Sequence, residues 1–109
     1  MTSKQDLRIN IFKALSDKNR LKIIDLLRNG QEICVCDIQK HLKKSQAATS
    51  QHLKILIDAD ILEKKKEGKK IFYKVRDFHI YKLLHEIDRI IKNIKKFKII
   101  TNIQEEIEA

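Results

Sequence analysis

The chain has 109 residues, with 24 Lys+Arg against 15 Asp+Glu, two Cys, two Gly and no Pro. That length holds one domain with a limited core, which burial in a dimer would enlarge. The apolar share of 42% suits a folded protein, and the scarcity of Gly and Pro excludes linkers, low-complexity stretches and turn-rich sandwiches. A formal charge of +9 implies a polyanionic partner or an anionic membrane surface.

No stretch approaches the roughly 18–20 continuous apolar residues of a transmembrane helix. The segment Met1-Thr2-Ser3-Lys4-Gln5-Asp6 lacks the apolar block of a signal peptide. The expected location is therefore the cytoplasm, with no membrane partner. Thiols stay reduced there, so two Cys argue against a structural disulfide.

In chain order, a first helix is expected from about Gln5 to Leu15, with Leu7, Ile11 and Leu15 on one face and Phe12 beside them. Ser16 has the character of an N-cap for a second helix from Asp17 to about Arg28. This helix buries Leu21, Ile24 and Leu27, with Ile23 and Leu26 widening the stripe. Asn29-Gly30 closes it, since Gly tolerates the left-handed conformation. Cys36 to Leu42 reads as a short helix with Ile38 and Leu42 inward. Lys43-Lys44-Ser45 breaks it, and Ser45 caps a further helix through about Ala59. Two short helices around a tight break outline a helix-turn-helix.

A β-hairpin follows. Residues 61–66 and 70–75 flank Glu67-Gly68-Lys69, and Ile71, Tyr73 and Val75 alternate at period two. A hairpin directly after a helix-turn-helix is the winged form. From Phe78 to about Ile107 the chain reads as one helix, with Ile80, Leu84, Ile87, Ile91 and Ile94 spaced by fours and threes. Such a stripe wants a partner helix. The expected fold is mainly α with a small β-hairpin, a winged helix-turn-helix forming a single domain over residues 1–109. Its core spans about 5–95, and the helix at about 78–107 serves dimerisation.

The charge follows this outline. Residues 40–76 hold eleven basic and four acidic side chains, so +7 of the total +9 lies on about a third of the chain. That excess points to phosphate contacts and a double-stranded DNA partner. On the second helix of the motif, Ala47, Ser50, Gln51 and Lys54 share one face, while Thr49, Leu53 and Leu56 point the other way. Small residues permit close approach to base edges; Gln can bond adenine bidentately and an Ala methyl can meet a thymine methyl. Ser45 and Gln46 stand at the helix N-terminus, where free amides favour a phosphate. Lys66, Lys69 and Lys70 supply phosphate contacts from the hairpin. His52 precedes the buried Leu53 and reads as structural.

Three segments together resemble the ArsR/SmtB family of metal-sensing repressors. Phe12-Lys13-Ala14-Leu15-Ser16-Asp17-Lys18-Asn19-Arg20-Leu21 is similar to the family's opening signature. Residues 45–56, Ser-Gln-Ala-Ala-Thr-Ser-Gln-His-Leu-Lys-Ile-Leu, resemble its recognition helix. Glu32-Ile33-Cys34-Val35-Cys36-Asp37-Ile38 is similar to the Cys-Val-Cys box of the arsenic, cadmium and lead sensors. The resemblance spans roughly residues 8–95. It implies a homodimer joined through the first and last helices, seated on an operator and released by an effector.

It also implies a metal site at Cys34 and Cys36, with no permanently bound cofactor and As(III), Cd(II) or Pb(II) as inducer. The third Cys common in arsenic sensors is replaced by Gln39, and residues 1–33 contain no Cys. Two thiolates remain. The family's zinc and cobalt site begins with an Asp-x-His, matched by Asp77-Phe78-His79. Its other half falls on Ile90 and Asn93, which abolishes it. His85 and Asp88 are expected to face solvent.

Residues i and i+2 point about 200° apart on a regular helix but the same way on a strand. Cys34 and Cys36 can therefore grip one soft ion only where the helix start is non-helical. Thiolates suit thiophilic ions, and a helix N-terminus lowers a thiol pKa. The rival reading is a redox switch, in which a Cys34–Cys36 disulfide distorts the same turn without metal. A sequence-neutral architectural DNA-binding protein is a further alternative. Catalysis is not expected, because no phosphate loop, nucleophile elbow or metal-hydrolase motif is present. Residues 99–109 carry negative charge and fall outside the resemblance, where they extend the last helix or fray.

Overall fold

A computed structural model describes residues 6–108, so expectations resting on residues 1–5, including a helix start at Gln5, and on Ala109 lie outside the described residues. Two compact units are present, one running to Asp77 and one from Phe78.

The first unit contains helices α1 (Leu7–Leu15) and α2 (Lys18–Leu26), a 3-10 turn (Arg28–Gly30) and strand β1 (Ile33–Cys34). Helices α3 (Val35–Leu42) and α4 (Gln46–Asp58) follow, then strands β2 (Leu62–Glu67) and β3 (Lys70–Val75). The strands form one antiparallel sheet in the order β1-β3-β2. The second unit is helix α5 (His79–Glu108). This is a winged helix-turn-helix. No helix among the described residues is long and apolar enough to cross a membrane.

Asp17, rather than the expected Ser16, caps α2. Its carboxylate accepts from the Asn19 and Arg20 amides at 2.8 and 3.1 Å, while Ser16 serves as the C-cap of α1. Asp17 has the extended backbone an N-cap needs (φ −159°, ψ 134°), and Ser16 does not (φ −84°, ψ 54°). Helix α2 also stops at Leu26, short of Arg28. The chain tightens there into the 3-10 turn, with Asn29 (φ 65°) and Gly30 (φ 70°) both left-handed. Asn accepts that conformation more readily than most side chains.

The core is built from Ile23, Ile24 and Leu27, Ile38 of α3, Leu53 and Leu56 of α4, and Ile61 and Leu62. Leu21 and Leu26, expected inside, are only half-buried. Helix α1 buries Ala14 and Leu15 but leaves Leu7 and Phe12 exposed, so its expected inward stripe holds only at the C-terminal end. On α5, Ile87, Ile91 and Ile94 are exposed.

Between α3 and α4, Lys43 takes the left-handed C-cap (φ 54°), and the Ser45 hydroxyl accepts from the Ala48 amide at 3.1 Å as expected. Thr49 is fully buried, and its hydroxyl donates to the Ser45 carbonyl at 2.9 Å. The hairpin pairs Glu67 with Lys70 across Gly68-Lys69, and Gly68 sits at φ 60°, a backbone that favours glycine. The third strand, β1, was not expected. It pairs Ile33 with Tyr73 and Cys34 with Phe72, making β3 the central strand. All of Ile71–Val75 is consequently half-buried, in place of the expected alternation.

Candidate nucleic-acid interface and thiol pair

Helix α4 is held by one face and shows the other. Thr49, Leu53 and Leu56 are buried, which turns Gln46, Ala47, Ser50, Gln51 and Lys54 outward, with Ser45 exposed at the cap. Apart from the Lys54 ammonium, this face is small and uncharged. Lys54 pairs with Asp58 one turn on, at 2.8 Å. Both are exposed, so a phosphate can displace the contact at little expense.

The sheet sorts its lysines into two groups. Lys65 pairs with Glu67 at 2.9 Å and Lys74 with Glu63 at 3.1 Å. The Glu67 hydrogen bond and charge raise the Lys65 pKa above the ordinary lysine value. A groove of about 530 Å³ lies here, lined in part by Phe72, Leu62, Lys65, Lys74 and Glu63. Its lining sets four cations, Lys64, Lys65, Lys74 and Arg76, against the carboxylates Glu32 and Glu63. Lys66, Lys69 and Lys70 are exposed, and among the described residues none forms an ion pair. Lys64, opposite Tyr73, is likewise exposed and outside these pairs, so the unneutralised positive charge of the hairpin runs along β2 to the tip.

Cys34 ends β1 and is the N-cap of α3, with extended backbone (φ −63°, ψ 143°), whereas Cys36 lies in the first helical turn. This break in regular structure brings together two side chains that a continuous helix would hold apart. Their Cα atoms are 5.3 Å apart and the structure joins them as a disulfide. The Cys36 amide also donates to Cys34 Sγ at 3.3 Å, so the sulfur does the work of a capping oxygen. The expectation against a disulfide is thus corrected, as is the helix start, which falls at Val35 rather than Cys36. The pair is asymmetric: Cys34 is buried and Cys36 exposed.

The geometry suits a two-sulfur grip once the disulfide is reduced. Among the described residues, no group of three or more His, Cys, Asp or Glu could hold a metal ion. His79, from the Asp77-Phe78-His79 segment, packs its ring against Phe78 with centroids 4.4 Å apart, and His85 and Asp88 are exposed on α5.

Sequence reasoning named His52 as structural and gave Arg20 no role. The structure brings them together, with Arg20 Nη1 at 3.3 Å from His52 Nδ1. It also missed β1, although the β-branched Ile33 and Val35 beside Cys34 carried a short strand signal.

The description "Bacterial regulatory protein, arsR family" matches residues 17–64, which include α2, the thiol pair, α3, α4 and the start of β2. An arsenical resistance operon repressor of Staphylococcus aureus is 42% identical over 85 residues, covering 77% of this chain and 73% of that protein. A cadmium resistance transcriptional regulatory protein CadC homolog of the same organism is 40% identical over 76 residues, or 70% of this chain. The chain spans only 63% of the length of that relative. In fold, it is similar to a homodimeric winged helix-turn-helix DNA-binding domain from Mycobacterium bovis, with a TM-score of 0.70 and 23% identity over 84% of this chain and 91% of that one. The chain belongs to the arsR family of bacterial regulatory proteins.

Proposed function

We propose that this protein is a sequence-specific DNA-binding repressor, acting in the cytoplasm as a homodimer and released from its operator when Cys34 and Cys36 bind a thiophilic ion such as As(III), Cd(II) or Pb(II). The observation that carries the DNA reading is the small, polar, outward face of α4, together with the exposed, unneutralised lysines of the hairpin. Gln51 and Ser50 read base edges, and Ala47 leaves room for them. Ser45 and Gln46 meet a phosphate at the α4 N-terminus, while Lys54, Lys66, Lys69 and Lys70 fix the register on the backbone. The exposed apolar residues of α1 and α5 support pairing of two copies through those helices.

The thiol pair stands at the head of α3, which packs on α4. Opening the Cys34 cap changes the first turn of α3 and so the seat of α4. A difference of about a few kcal/mol in operator affinity between the two forms is enough to empty a site. The arsenical and cadmium resistance relatives support the choice of ion.

A second reading has its own support in the Cys34–Cys36 disulfide. Here the two thiols are oxidised by a peroxide, giving one disulfide and releasing water, and the same turn changes without metal.

Selection of duplexes from a random pool tests the DNA reading. The expected outcome is a preferred site bound about 10³-fold or more above random sequence at fixed salt. Equal affinity for all duplexes would leave only an architectural role.

A further inference from the structure

Arg20 reaches from α2 to three places. Its Nε donates to the Ala14 carbonyl at 2.6 Å and its Nη2 to the Lys13 carbonyl at 3.3 Å, both in the last turn of α1. Its Nη1 meets His52 Nδ1, on α4, at 3.3 Å. One guanidinium thus ties the α1–α2 corner to α4. Arginine stays protonated and can only donate. As a hydrogen bond, the contact therefore requires a lone pair on His52 Nδ1.

Asp17 stands close by. Its Oδ1 is 3.9 Å from the same Nδ1, beyond hydrogen-bond distance, while it accepts from the Asn19 and Arg20 amides. Asp17 and Arg20 are the charged groups that face the ring from the α1–α2 side. From α3 and the sheet, no charged group is hydrogen-bonded or ion-paired with it among the described residues. The His52 side chain is 17% exposed, so a proton can reach it.

We propose that Arg20 and His52 are positioning residues for the reading face of α4, and that protonation of His52 unseats that face and weakens operator binding. On taking a proton, Nδ1 loses the lone pair that Arg20 uses, and the new N–H finds its acceptor in Asp17. The ring has a different seat for each charge state. It is attached to α4 next to Gln51 and within one turn of Ser50 and Lys54, so a change of seat shifts their registration against α2. This inference rests on the reading of α4 as the DNA-contacting helix.

The sign separates repositioning from simple charge. A cation added near DNA strengthens non-specific phosphate binding, whereas an unseated α4 weakens the specific site alone. The test compares the reduced native chain with H52N, whose side-chain oxygen can accept from Arg20 at any pH. Operator affinity of the native chain is expected to fall by about tenfold or more from about pH 7.5 to 5.5, with non-specific affinity level or rising. For H52N the operator change is expected to stay under about twofold over the same span. Long-range ¹H–¹⁵N spectra of the native chain at about pH 7.5 are expected to show Nδ1 bare and Nε2 protonated. A proton on Nδ1 at that pH, the same slope for both chains, or a parallel loss of non-specific binding would overturn the proposal. A chain with no duplex preference at any pH would remove the DNA reading itself, and the ring tautomer would still decide the Arg20–His52 assignment.

Discussion

Cys34 caps α3 with its sulfur, which accepts from the Cys36 amide at 3.3 Å, while Cys36 belongs to the turn that Cys34 caps. One residue is buried and the other exposed. Any change at the sulfurs therefore acts on the helix start itself. In the reduced chain Cys36 is expected to be alkylated at least about tenfold faster than Cys34, because thiol reactivity follows exposure and thiolate character. Peptide mass mapping after brief iodoacetamide treatment gives the two rates. Equal rates would contradict the asymmetry.

The hairpin tip and the α4 face are expected to fail in different ways. Changing Lys66, Lys69 or Lys70 to Ala should weaken all duplexes alike and lower the salt slope by about one per lysine. Gln51→Ala should instead cost about 1–3 kcal/mol at the preferred site alone and relax selectivity there. Fluorescence anisotropy across a salt series, with specific and random duplexes, separates the two patterns. A uniform loss for Gln51→Ala would take it out of base reading.

Leu53 anchors α4 from behind and is 1% exposed. Leu53→Ala should destabilise the fold by about 2–5 kcal/mol through lost burial and a cavity. Urea unfolding measures it. A loss of under about 1 kcal/mol would mean that α4 is held elsewhere.

Much of this arrangement was legible in the sequence, and the exceptions share a cause. Ser45 as a cap, Thr49, Leu53 and Leu56 as the inner face of α4, and Gly68 as the turn all follow from local rules, and the structure shows each. Strand β1 did not follow, because two residues carry too little pattern to be read without their partner β3. Missing that strand hid the reason two cysteines at i and i+2 converge. The cap of α2 went to Ser16 because Ser and Asp are nearly equal as caps, and only the backbone angles chose Asp17. The Arg20–His52 contact joins residues 32 apart, a separation that helical periodicity does not register.

Asp17 also gives a pH signature in stability. Its hydrogen bond from the Arg20 amide, with a smaller one from Asn19, holds its carboxyl below the ordinary value of 3.8. A depressed folded pKa stabilises the protein above the unfolded value, and that contribution is lost as pH falls through the folded one. The asparagine introduced by Asp17→Asn caps equally well but does not titrate. The Tm advantage of the native chain over D17N should therefore shrink as pH falls from about 6 to 2. A gap independent of pH would show that the carboxylate charge adds nothing.

The most direct measurement follows operator release from the native dimer and from the Cys34→Ser, Cys36→Ser double variant, under arsenite with oxidants excluded and under peroxide with metals excluded. The native protein is expected to leave its operator under arsenite, while the double variant binds the same site and stays. Release under peroxide alone would assign the thiol pair to redox sensing. Release of the double variant by arsenite would contradict control through Cys34 and Cys36.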